Sequence, residues 1–247
     1  MVRARRASIV RRAALLSVVS LALWAAGARA QDPVKTLPES YRLDLENEWV
    51  RVVHVRYAAH AKLPAHDHPT VPTAYVYLND AGPVLFKHIG LSYGVIGRPA
   101  TVAGAVRLAR AVQEVHEVEN PGDTPSEFLR VELKRMPADP PLRGRLYPEP
   151  HPAGENVSKV QFENEHLRVT RRACAPEIPC DLSQGADAPA LLVALTPGRV
   201  QAAGSGEATT LALGGAQWLG AGEKRVVRNK ETSPAEFLLF EFKGGAR

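Results

Sequence analysis

Beyond its first thirty residues the chain has no apolar run long enough to cross a bilayer, no 3.6-residue hydrophobic periodicity and no Lys/Arg stripe interleaved with aromatics. The first absence argues against a stable membrane span in the main body. The second argues against a helical bundle, and the third against a nucleic-acid partner. No glycine-rich phosphate loop opens a helix, and no Cys–His pair has catalytic spacing. Cysteine is scarce: Cys174 and Cys180 are the only two.

The first thirty residues differ from the rest. Arg3, Arg5, Arg6, Arg11 and Arg12 form a basic region ahead of a mostly apolar run, 13–26, and Ala28-Arg29-Ala30 supplies a small-x-small cleavage pattern. This predicts a signal peptide over 1–30, of a general-secretory kind with a faint twin-arginine character, and a mature chain that begins at Gln31. An N-terminal anchor is the other reading. The expected location is exported, periplasmic or secreted. Taking the leader's six arginines from 31 basic residues leaves 25 against 26 acidic ones, so the basic balance belongs to the leader. In an oxidising compartment Cys174 and Cys180 are expected to form a disulfide, two buried free thiols or a soft metal site being the other readings.

The main body repeats itself. Asn120–Lys134 reads NPGDTPSEFLRVELK and Asn229–Lys243 reads NKETSPAEFLLFEFK, an offset of 109 without a gap. Glu46-Asn47-Glu48 with Arg51-Val52 recurs as Glu163-Asn164-Glu165 with Arg168-Val169. Two copies of one unit allow residues for folding to be told from residues for chemistry, since the latter can survive in one copy only. Short β-branched and aromatic runs at 50–57, 74–78, 83–88 and 127–133, then 167–171, 190–195, 209–213 and 236–242, predict an all-β chain of sandwich or barrel type. The alternation of Phe128, Arg130 and Glu132 against Leu129, Val131 and Leu133 predicts one core face and one wet face. The expected organisation is a first domain over 31–135, a linker over 136–160 and a second domain over 161–247. Six prolines between 136 and 153 bar that stretch from a central strand or a helix interior.

Three of the eight histidines have a chemical spacing. His66 and His68, at i and i+2 on a strand, aim two imidazoles at one face. His116, from a strand in the same sheet, can complete a three-nitrogen site that suits one divalent transition metal (Fe, Zn, Mn, Ni or Cu) and leaves positions open. Tyr75, His88 and Glu114 are candidate pocket or supporting residues. Imidazoles must be neutral to coordinate, so affinity is expected to fall between about pH 7 and 5, approaching about tenfold per unit for each histidine that is protonated in the metal-free protein.

His66-x-His68 and His116-x3-Asn120 resemble the paired histidines and the closing His-x3-Asn of the two cupin motifs, and the two copies resemble a bicupin. Gly214-x5-Gly220-x-Gly222-x2-Arg225-x3-Asn229 resembles motif two at full spacing, with Arg225 in place of histidine. There are departures. Motif one's leading glycine falls at His60, its glutamate falls at Pro72 or Thr73, and the second copy has no His-x-His. The resemblance implies two tandem jelly-roll-type β-barrels with one metal site in the first. It leaves two functions open: a metal-dependent oxygenase or isomerase acting on a small molecule, or a non-catalytic ligand-binding or structural protein. A homo-oligomer is compatible with either.

Overall fold

The computed structural model describes residues 31–92, 94–182, 188–202 and 208–244. The leader expectation over 1–30 lies outside them. Among the described residues one four-residue helix, α1 (Pro33–Thr36), precedes nineteen strands. The first copy contributes β1 (Tyr41–Glu46), β2 (Val50–Tyr57), β3 (Lys62–His68), β4 (Thr73–Tyr77), β5 (Val84–His88), β6 (Val95–Arg98), β7 (Val106–Ala109), β8 (Glu114–Glu119) and β9 (Ser126–Leu133). The proline-rich stretch adds β10 (Gly144–Leu146). The second copy contributes β11 (Val157–Glu163), β12 (Leu167–Cys174), β13 (Cys180–Asp181), β14 (Ala190–Ala194), β15 (Gly198–Ala202), β16 (Ala208–Leu211), β17 (Ala216–Leu219), β18 (Arg225–Val227) and β19 (Ala235–Phe242).

The chain is all-β, and the repeat is a repeat of topology. One sheet runs β1-β2-β9-β4-β7-β10 and its counterpart β11-β12-β19-β14-β17; the smaller sheets run β3-β8-β5-β6 and β13-β18-β15-β16. The sheets do not close into continuous barrels. Each half is a jelly-roll-like pair of sheets, with β10 at an edge, where a proline-flanked strand is tolerated.

The repeated residues are turn and clamp residues. Asn120 Nδ2 donates to the carbonyls of Tyr57, Ala58 and Thr124, and its Oδ1 accepts from Gly122 N. Asn229 does the same toward Cys174, Ser233 and Glu231. Asn47 and Asn164 each accept two backbone N–H groups at the turn into β2 and β12. Lys134 reaches Glu46 and the Asn47 carbonyl, and Lys243 reaches Glu163 and the Asn164 carbonyl. His60, at the place of the first motif's glycine, keeps the left-handed backbone (φ 58), and Glu177 does so in the second copy (φ 59). The turn geometry is retained although glycine is not.

Three cores result. Leu129, Val131 and Leu133 on β9 and Leu238, Phe240 and Phe242 on β19 lie in one cluster between the two large sheets. Trp49, Trp218 and Phe242 gather there with ring centroids 5.6–6.2 Å apart. The alternation predicts a wet face on the other side of β9, and the structure corrects this: that face is not wet. Arg130 and Glu132 are 4% and 1% exposed because they point into the first half, where Arg130 Nε meets Glu132 Oε1 at 3.0 Å. Each charge has a partner inside, so period two reports two faces but not which is dry.

The second half is filled. Cys174, Cys180, Leu182, Leu192, Ala194, Phe237 and Leu239 close it with apolar atoms. A Cβ on Gly198 would lie 2.7 Å from Phe237 Cζ. Gly198→Val is therefore expected to destabilise the protein by about 1–3 kcal/mol through overpacking, seen as a lower urea midpoint; an unchanged midpoint would show that Phe237 has room to move. Cys174 and Cys180 form the expected disulfide. Denatured, unreduced protein is expected to take up no alkylating label. Replacing both cysteines by serine is expected to cost about 2–3 kcal/mol at most, since the closed loop is short; full labelling of unreduced protein would show that the pair is free.

Candidate metal centre

The three histidines meet. β3 pairs antiparallel with β8 so that His66 faces His116 and His68 faces Glu114. His66, His68 and His116 are 1%, 8% and 3% exposed. One ring nitrogen from each lies within 4.8 Å of the others. Among the described residues no carboxylate joins this group. Thr73, where the resemblance would place a glutamate, instead donates its hydroxyl to the Val71 carbonyl.

Hydrogen bonds assign the His66 tautomer. Its Nδ1 lies 2.9 Å from the Pro64 carbonyl, so Nδ1 carries the proton. Nε2 then accepts from the Tyr41 hydroxyl at 2.7 Å, and Tyr57 stands 2.9 Å behind Tyr41. Both ring nitrogens of His116 are buried without a hydrogen-bond partner. A buried polar group left unmade costs about 1–3 kcal/mol. A cation on one His116 nitrogen would remove part of that cost, so the donor set fits a divalent ion.

Burial sets the electrostatics. It pushes His66 below the ordinary imidazole value, His68 well below it and His116 to about 2, with Arg130 reinforcing all three. Burial raises Tyr41 well above the ordinary phenol value and Tyr57 to about 12. His116 is thus neutral in the folded protein across pH 7 to 5, and burial biases His66 and His68 toward the same neutral form. Proton competition at the folded site is weaker there than their number and spacing alone imply.

The pocket candidates fall in one place. A cavity of about 320 Å³ opens beside the histidines, and Tyr75, His88 and Glu114 line it with His68 and His116. His88 pairs with His116 across β5 and β8, ring centroids 5.5 Å apart. Glu114 shares the His116 face of β8 and lies 3.5 Å from Arg130 Nη1. Tyr75 accepts a hydrogen bond from Arg130 Nη1 at 2.8 Å and lies under the Arg107 guanidinium. His60 is elsewhere, paired at the surface with Asp123. Gly90-Leu91-Ser92-Tyr93-Gly94 matches a Gly-x-Ser-x-Gly pattern, but it lies between β5 and β6 with no helix after it. The serine nucleophile of that pattern needs a strand-to-helix turn.

Four cavity residues carry no motif: Tyr41, Arg98, Arg107 and Arg130. Arg130 leaves a trace in the repeat, because its counterpart at the same offset is Leu239. Tyr41 leaves none, since it precedes the repeated segments.

No protein-family model matches the sequence, and no curated protein matches it. Solved structures do match. AerE from Microcystis aeruginosa aligns at TM-score 0.56 and 11% identity, over 83% of this chain and 98% of that one. The protein Ylba from E. coli aligns at 0.54 and 10%, over 82% of each. Oxalate decarboxylase from Bacillus subtilis, described with Mn(II) centres, aligns at 0.51 and 12%, over 87% of this chain and 72% of that one. At such identities the likeness is one of fold. The fold is that of the cupins, in the two-copy bicupin arrangement.

Proposed function

Starting from a cupin fold whose buried histidine triad lies in only one half, we propose an exported bicupin with one mononuclear divalent-metal site, held by His66, His68 and His116. Residues 31–135 and 161–247 are its two cupin domains and 136–160 the linker. The observation that carries the reading is the buried triad, with ligand atoms within 4.8 Å and both His116 nitrogens unpartnered. The second copy supports it by contrast. Arg225 stands four residues before Asn229, as His116 stands four before Asn120, and a fixed cation there repels a metal.

The reaction class is metal-dependent chemistry of an oxygenase or isomerase kind on a small molecule in the adjoining cavity. A bound divalent ion would supply Lewis-acid polarisation and a more acidic bound water. The protein's own groups would do the rest. Phe86 and Phe128 keep water from one wall. Glu114, beside Arg130 and on the His116 face, is placed to take a proton from a molecule in the cavity. The disulfide fits an oxidising compartment. No helix among the described residues is long and apolar enough to cross a membrane.

Elemental analysis of protein purified from its native compartment tests the proposal. The expected result is one divalent transition metal per chain. Protein that carries none, and takes up no zinc, iron or manganese on titration, would leave the non-catalytic ligand-binding reading standing instead.

A further inference from the structure

The cavity beside the histidines has more positive charge than its own carboxylates can match. Arg130 is answered by Glu132 at 3.0 Å and approaches Glu114 at 3.5 Å. Arg98 and Arg107 are not answered. Arg98, at the end of β6, is only 8% exposed. Its Nη2 donates to the Ser126 hydroxyl at 2.6 Å, and its guanidinium lies 5.3 and 5.4 Å from the ring centres of Tyr77 and Phe128. Arg107 lies 4.1 Å from the Tyr75 ring centre. The Nε atoms of both are buried without a hydrogen-bond partner. Among the described residues no carboxylate lies within ion-pair distance of either. Two guanidiniums walled by aromatic rings, without a counterion, are costly unless an anion joins them.

The second copy lacks these charges at matching register. Val84 pairs with Arg98 where Gly198 pairs with Leu211, and Tyr75 pairs with Arg107 where Leu192 pairs with Gln217. Ser126 on β9 becomes Ala235 on β19. The half without the histidine triad is therefore also the half without counterparts of Arg98 and Arg107. A role in folding alone would not separate the copies in this way.

We infer that this cavity binds a small organic carboxylate, its anionic end on Arg98 and Arg107 and its carbon body against Val55, Phe86 and Phe128. The guanidinium fork matches a planar carboxylate. About 320 Å³ accommodates a body the size of one aromatic ring. Arg110 and Arg145, exposed on the same rim, add an attractive field for an anion. The inference deepens the metal-site reading by naming its substrate class, and its test separates the two.

The test is calorimetric titration of the full mature chain with benzoate, benzamide and inorganic phosphate, before and after chelation. Benzoate is expected to bind at least about tenfold tighter than benzamide or phosphate, a difference that needs no variant. Arg98→Leu and Arg107→Gln, which install the second copy's residues, are each expected to weaken benzoate about tenfold or more while metal content stays unchanged. That range is what losing a charge-assisted hydrogen bond implies. Arginine-dependent benzoate binding by a protein that never holds metal would uphold this inference and sink the metal site. A metal-loaded protein that binds benzoate and benzamide equally would overturn the inference. So would tighter binding of phosphate, or benzoate binding lost on chelation yet unchanged in both variants.

Discussion

In the His66→Ala/His68→Ala double variant, bound divalent metal is expected to fall from one ion per chain to background, an affinity loss of more than about 100-fold. Loss of an outer-shell partner alone typically costs about 10–100-fold, and this variant removes two direct donors and leaves only His116. His116→Ala is expected to lower occupancy strongly by itself, since it sits directly opposite His66 in the β3–β8 pairing. Arg225→Ala is the control in the second copy. It stands in the His116 position, paired at its own surface with Glu223, and its loss is expected to change nothing. Elemental analysis after dialysis against a stated metal concentration reads all three variants. Full occupancy in the double variant would rule out the site.

Metal-free protein is expected to lose stability on acidification, by about 2 kcal/mol or more between pH 7 and 5. The sign follows from burial. His68 and His116 have folded values far below the unfolded imidazole value near 6.5. As pH falls through about 6.5 the unfolded chain takes up protons that the folded chain refuses, so stability falls. His116 contributes about 2 kcal/mol over that interval, and His68 and His66 add to the same trend. His54 works in the opposite direction. Held between Asp44 and Glu127, it is raised, so its contribution is full below the unfolded value and lost as pH rises through the folded one. Urea midpoints of chelated protein at pH 7, 6 and 5 measure the net effect. A flat series would mean that the buried imidazoles take up protons without unfolding the protein. Saturating metal is expected to blunt the fall, because an ion that binds only the folded state adds stability by mass action.

The same burial changes what the spacing of histidines predicts. Three imidazoles ordinarily imply a metal affinity that drops steeply from pH 7 to 5. Here part of that proton linkage moves from the binding step to the folding step, because a buried neutral imidazole such as His116 gains its proton only when the site opens.

Much of the molecule is determined by the sequence alone. The repeat at offset 109, the period-two strands and the asparagine turns establish a doubled all-β unit, because turn chemistry and alternation act over a few residues. His66 and His68 are legible because two positions on one strand share a face whatever lies opposite. Cys174 and Cys180 are legible because a short loop keeps them near each other. What only the tertiary structure decided is which surfaces face one another. Leu129 and Arg130 alternate alike in sequence, yet one packs between the large sheets and the other lines the cavity. Tyr41 meets His66, and Arg98 meets Ser126, across 25 and 28 residues of chain. Such meetings depend on strand register between distant segments, and register is set by the packing of whole sheets, not by the residues that it brings together.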